Sequence, residues 1–204
     1  MGTHWGALYI LDFNGNQIQK FENHTGAIND IAIDTSEEFV ATCSDEGTVV
    51  IRGLFSKEQV VQQYGRPVLC VEFDPLYSKN RQYVCGGKAG ELTLNQKGFL
   101  GLGYKNVVIH KGEGPIRAIA SRGTLIAWAN DTGVKVYDCS TAQKISYIER
   151  AKSLERPDLY RCHLTWENPS TLIIAWGNSV KIGRIKERKN NDNLPARYVE
   201  IVAQ

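Results

Sequence analysis

TLIAWANDTGVKVYD, Thr124 to Asp138, is the stretch whose reading decides the fold. Leu125 and Ala127 alternate with Ile126 and Trp128, as in a strand packed on both faces. Asn130-Asp131-Thr132-Gly133 supplies a tight polar turn, after which Val134, Val136 and Asp138 alternate with Lys135 and Tyr137. The same kind of hairpin recurs at TLIIAWGNSVKIGRI (Thr171–Ile185) and, more weakly, at EFVATCSDEGTVVIRGL (Glu38–Leu54). A hairpin repeated along one chain is the mark of a repeated β architecture.

Outward from this hairpin, the rest of the chain reads as short strands parted by turns. Near the start, GALYILD and GNQIQKF flank Asn14-Gly15-Asn16, and Asn-Gly between alternating apolar runs is a strong hairpin signal. AINDIAID, EFVATCS, TVVIRGL and EQVVQQY follow. The plan then repeats as PVLCVEFD, QYVCGG, ELTLNQ and NVVIH, with Pro75–Arg81 as a connection and the glycine-rich KGFLGLGYK as a loop or distorted strand edge. PIRAIASR, TLIAWAN, VKVYDC and KISYIE make the next set. After AKSLERPD, a helical turn or loop, come LYRCHLTWE, TLIIAW, SVKIGRI and RYVEIVAQ. The charged run Lys186–Leu194 between the last two is expected to be a mobile surface loop.

Equivalent positions make the period explicit. Leu8, Val49, Leu92, Val134 and Val180 open successive third strands, at spacings of 41, 43, 42 and 46 residues. Four strands per repeat of this length match a propeller blade, whereas a helical solenoid would show a period of about 3.6 residues. The predicted fold is therefore all-β, an incomplete WD-repeat-like β-propeller of about four and a half four-stranded blades. A single partial propeller over 1–204 is expected, with blade segments near 1–21, 24–64, 66–110, 113–149 and 158–204. An open array leaves an unpaired strand edge, so a section of a larger ring is expected.

Bulk composition narrows the function classes. Net charge is +2 and charged residues make up 23%, so nothing global calls for nucleic acid or anionic lipid as a partner. Neither an eighteen-residue apolar run nor a signal-peptide pattern is present, so any membrane role is expected to be peripheral. Cys43, Cys70, Cys85, Cys139 and Cys162 have poor spacing for zinc and are odd in number, which reads as buried thiols of a cytosolic protein.

His24-Thr25-Gly26 followed by Ser44-Asp45-Glu46-Gly47-Thr48-Val49 resembles the WD-repeat pattern, in which a His, a Ser or Thr, an Asp and a Trp bond inside one blade. His24 and Ser44 match, Glu46 stands for the Asp and Arg52 for the Trp, while Tyr137-Asp138 replaces the terminal Trp-Asp further on. At finer scale HKGEGPIRAI (His110–Ile119), LIAWANDTGVKVYD (Leu125–Asp138), ERPDLYRCHLTW (Glu155–Trp166), TLIIAWGNSVKI (Thr171–Ile182) and PARYVEIV (Pro195–Val202) resemble the N-terminal propeller of the vacuolar protein sorting-associated protein 41 family, subunits of the HOPS tethering complex. The resemblance covers nearly the whole chain. It implies a cytoplasmic protein, peripheral on late endosome, lysosome or vacuole, that acts in vesicle transport and tethers membranes before fusion. It implies as partners the other HOPS subunits, Rab-type small GTPases or their adaptors, and SNARE-associated proteins. A downstream helical solenoid and a zinc-binding ring domain are implied as well.

Sites of chemistry are not expected. His24 reads as a hydrogen-bonded blade residue, bonded to Ser44 or to an acidic turn residue. His4, His110 and His163 fall in different repeats, and no cofactor or metal is called for. No nucleophile elbow or phosphate loop occurs. Asp12, Asp34, Asp74, Asp131, Asp138 and Glu167 sit at strand ends, where carboxylates accept turn N–H bonds. The structural network is thus assigned to His24, Ser44, Glu46, Tyr137 and Asp138. Trp128 and Trp176 are expected to pack between blades, and Trp5 to be exposed. Two basic groups, Arg184, Lys186, Arg188 and Lys189, and Arg150, Lys152 and Arg156, are candidate partner or membrane surfaces expected on one rim. They lack the interleaved aromatic platforms of single-strand nucleic-acid sites. The expected function is binding, with no enzymatic activity; a generic WD scaffold in another multiprotein complex is the alternative, and a sugar-acting propeller enzyme a third reading.

Overall fold

Short β-branched and apolar runs between turn residues can bury both faces only as central strands of small antiparallel sheets. A computed structural model of the chain shows this arrangement; it describes residues 1–98, 103–151, 156, 159–189 and 194–204. Five sheets appear among the described residues. The first is the pair β1 (Ala7–Leu11) and β2 (Gln17–Glu22). Next come β3 (Ile28–Ile33), β4 (Phe39–Ser44), β5 (Thr48–Gly53) and β6 (Gln59–Gln63). The third is β7 (Val68–Phe73), β8 (Tyr83–Gly87), β9 (Glu91–Lys97) and β10 (Tyr104–Lys111). The fourth is β11 (Ala118–Arg122), β12 (Leu125–Ala129), β13 (Gly133–Asp138) and β14 (Gln143–Glu149). The last is β15 (His163–Asn168), β16 (Thr171–Trp176), β17 (Ser179–Glu187) and β18 (Arg197–Ala203). In each four-stranded sheet the strands lie in chain order and every neighbour is antiparallel. This meander is the form of a propeller blade.

The chain divides into two compact units, Met1–Gly112 and Glu113–Gln204. Within the first, the inner strands β3 and β7 pack together, and Ala41, Cys43, Val49, Ile51, Val71 and Phe73 belong to one core. In the second, β11 packs on β15, and Ala127, Val134, Val136, Trp166, Leu172 and Trp176 share a core. All of β4 and β12 is buried, which is why their sequences are apolar on both faces. Each fully buried Val or Leu contributes roughly 1.5–3 kcal/mol over its exposed state.

Two glycines are required by the backbone. Gly47 closes the β4–β5 turn at φ 87°, and a Cβ there would lie 3.0 Å from the main chain of Arg66. Gly6, at φ 86°, lets the start of β1 approach the carbonyl of His24, 2.1 Å from where a Cβ would stand.

Several local expectations are revised. Pro75–Arg81 contains a helical turn, α1 (Tyr77–Asn80); Asp74 accepts the Leu76 N–H and the Asn80 amide, and the buried Tyr77 ring meets Phe39 and Phe73. Strand β17 runs through Lys186 and Glu187, so the charged loop starts later than its composition indicates, because pairing with β18 continues to Glu187↔Arg197. Gly98 and Gly103 close the β9–β10 hairpin by a 2.9 Å backbone bond, while 99–102 lie outside the described residues. Most of AKSLERPD and residues 190–193 lie outside them too. Cys43, Cys70, Cys85 and Cys162 are buried thiols, but Cys139 is exposed, since it follows β13 into a turn.

Candidate functional site: polar nodes and exposed surfaces

His24 is held at the centre of a buried node in the first unit. Its Nε2 lies 2.8 Å from Thr42 Oγ1, and its Nδ1 lies 2.8 Å from Glu46 Oε1 and 2.7 Å from Thr48 Oγ1. Burial holds the imidazole pKa below its usual 6.5, and the Glu46 carboxylate only partly offsets this. A neutral ring with its proton on Nδ1 donates to Glu46 and accepts at Nε2 from the Thr42 hydroxyl. Burial also opposes ionisation of Glu46, yet bonds from Thr25, Thr48 and His24 outweigh it and bring its pKa to about 2. Asn23 extends the chain, donating to Thr42 at 3.1 Å and accepting from Arg52 Nε at 2.5 Å, while the Arg52 guanidinium lies 4.9 Å from the Phe21 ring centre.

The hydroxyls that meet His24 therefore belong to Thr42 and Thr48. Ser44 lies two residues beyond Thr42, along the same face of β4, and its Oγ accepts the Glu46 N–H at 3.3 Å. Pattern spacing cannot separate two hydroxyls on one face.

The second unit uses different residues. Lys135, 4% exposed, stands opposite Trp128 in the β12–β13 register and donates to Glu113. Thr132 Oγ1 is 3.2 Å from the same ammonium, and the Tyr147 ring centre is 4.7 Å away. The turn is closed by Asn130, whose Oδ1 accepts from Thr132 and Gly133. Asp131, expected in that role, pairs instead with Arg117 at 2.9 Å. Asp138 is 1% exposed and accepts from Ser140 and from Arg197 of β18, so it ties two blades together. Burial works against its ionised form, but these donors lower its pKa overall. Tyr137 lies outside that network, since neighbouring residues of β13 face opposite ways and Tyr137, itself half-buried, faces away from Asp138.

The two basic groups do not share a rim. Arg150 follows β14 beside the β13 start, its Nε 3.0 Å from the Asp131 carbonyl, and Lys181 near the start of β17 reaches the Glu149 carbonyl. Arg184, Lys186, Arg188 and Lys189 lie toward the opposite end of β17. The seven residue steps from Lys181 to Arg188, just past the end of β17, span about 23 Å. Lys186 is 3.7 Å from Glu200, and Arg188 donates to the Pro195 and Arg197 carbonyls with its guanidinium 4.6 Å from the Tyr198 ring. Much of this group is thus engaged within its own hairpin. Arg156 is exposed, and Lys152 lies outside the described residues.

Among the described residues, no three His, Cys, Asp or Glu side chains converge as metal ligands would. No described helix is long and apolar enough to cross a membrane. A cleft of about 50 Å³ beside Tyr64, Arg66, Cys85 and Glu91 is far below the roughly 300–1,000 Å³ of a drug-sized site. Trp5 is 82% exposed, while Trp128 is fully buried and Trp176 nearly so.

Four-stranded meanders with buried His, Lys and Asp nodes define a WD-repeat-like β-propeller, here incomplete. A solved propeller domain, that of Myceliophteria thermophila Cps50 (Swd1), superposes with a TM-score of 0.76 over 98% of this chain and 66% of its own, at 13% identity, and so supports the fold alone. The Vps41 β-propeller model, described as "Vps42 beta-propeller", matches residues 1–204, and the chain belongs to that family. The Vacuolar protein sorting-associated protein 41 homolog of Solanum lycopersicum is 50% identical over 188 residues, 91% of this chain and 19% of its own length. The homologs of Danio rerio and Homo sapiens are 43% and 41% identical, each over 100% of this chain and 24% of their own. The chain therefore spans about a fifth to a quarter of these relatives.

Proposed function

We propose that this chain is the protein-binding propeller of a vacuolar protein sorting subunit that works in a HOPS-type tethering complex. The observation that carries the reading is a family match over the whole chain, joined to identities of 41–43% at full coverage. The blades support it physically: rigid sheets hold loops and outer strands at fixed positions, and the polar nodes are used up in bracing those sheets. Binding, without a reaction of its own, is the activity that follows. The other tethering subunits are its first partners, Rab-type small GTPases or their adaptors and SNARE-associated proteins the next. Its place is on late endosome, lysosome or vacuole, attached peripherally.

Affinity purification of the full-length protein under native conditions tests this. Recovery of the other tethering subunits in near-stoichiometric amounts is expected. Elution alone, or with subunits of an unrelated scaffold, would overturn it.

A further inference from the structure

Among the described residues five strands form the outer edges of the sheets, and four of them are protected against further pairing. Strand β2 carries Lys20 and Glu22, β10 Lys105 and Lys111, β14 Lys144 and Glu149, and β18 Arg197 and Glu200. Each of these four also meets its neighbour through a bulge or register shift. Charges and bulges are how natural sheets keep edges from recruiting another strand. Strand β6 has neither. Its sequence is Gln-Val-Val-Gln-Gln, and its register with β5 is unbroken from Thr48↔Gln63 to Arg52↔Gln59.

The direction of its main-chain groups follows from the hydrogen bonds at its two ends. Tyr64 N–H donates to Gly47 at 2.8 Å and the Glu58 carbonyl accepts from Gly53 at 2.9 Å. Antiparallel pairing alternates, so residues 58, 60, 62 and 64 bond inward and Gln59, Val61 and Gln63 turn their N–H and C=O groups outward. Val61 is 47% exposed. Lys57 and Arg66 are exposed just beyond the two ends, while Glu58 is held by Arg81 at 3.2 Å.

We infer that the outer edge of β6 is a strand-addition site for an extended peptide of a partner protein, β-branched at its centre and acidic at its ends. Main-chain bonds to Gln59, Val61 and Gln63 supply the pairing, and carboxylates beside Lys57 and Arg66 fix its position. A second copy of this chain fits less well. Full antiparallel overlap centred on Val61 sets Lys57 of each copy opposite Gly65 of the other, one residue from Arg66, and like charges brought close across a sheet oppose pairing. Nothing in this edge depends on the tethering assignment.

The test titrates full-length protein into the fluorescein-labelled peptide EEVTVTVEE, read by anisotropy, and follows amide exchange in parallel. Saturable binding is expected, with slowed exchange at Val61 and Gln63 and none at Val60 and Gln62. Val61→Pro deletes an outward N–H while sparing the β5–β6 ladder, and should weaken binding about tenfold. Gln63→Pro serves the same purpose if the first variant melts early. Lys57→Glu with Arg66→Glu should lose EEVTVTVEE and gain KKVTVTVKK. Absence of saturable binding, or binding that leaves both the proline variants and the exchange of Val61 and Gln63 unchanged, would overturn the proposal. So would self-association abolished by Val61→Pro, which would give the edge to a second copy.

Discussion

The blade of β3–β6 and the blade of β11–β14 fill one structural position with opposite chemistry. Across the β4–β5 pair, Thr42 faces Val50; across β12–β13, Trp128 faces Lys135. The small hydroxyl leaves room for a neutral imidazole braced by Glu46. The large indole fills that room, and a buried ammonium reaches along the sheet to Glu113 instead. A blade of this fold therefore demands a filled face with satisfied polar groups, and several residue sets meet the demand. That tolerance accounts for how far these repeats depart from the WD pattern.

The two solutions should not be interchangeable. Trp128→Thr, which imports the hydroxyl without the imidazole, should cost about 3–5 kcal/mol through the cavity left behind, measured by urea denaturation. A loss below about 1 kcal/mol would erase the distinction between the blades. Glu113→Ala leaves Lys135 buried beside Thr132 and Tyr147 alone; a fully buried pair would lose about 3–5 kcal/mol, and the 45% exposure of Glu113 reduces this to about 2. Lys135→Met, close in volume, should stay near wild type. Thr42→Val, which removes one partner from the His24 node, should cost about 1 kcal/mol.

Acid should separate the two nodes further. His24 has a folded pKa below 6.5, so the unfolded state takes up its proton first, and the contribution present above pH 6.5 is lost as pH falls through the folded value. Glu46 adds a second loss as pH falls from about 4.5 toward 2. Glu46→Gln should remove that second loss from a urea series taken at stepped pH. A variant that keeps it would place the titrating group elsewhere.

The strands were legible because short apolar, β-branched runs, buried on both faces in the central strands, stand between turns written in Asn, Asp and Gly. Leu125–Ala129 and Thr48–Gly53 are plain in that sense. Choosing Thr42 over Ser44 was not legible, since both lie on one face of β4 and only the approach of the 24–26 loop decides. Lys135 alternates like a solvent-facing residue, yet Glu113 draws it inward from 22 positions away. Arg197 meets Asp138 across 59 residues, a pairing no local pattern records. Bulges, which set β6 apart from the other outer strands, depend on register and leave little local mark.

Hydrogen–deuterium exchange of the full-length protein, alone and in its purified complex, tests most directly whether these blades serve as a binding surface. Assembly is expected to protect outer strands and connecting loops within residues 1–204 while β4, β5, β12 and β13 stay unchanged. Identical exchange across 1–204 in both states would contradict the account.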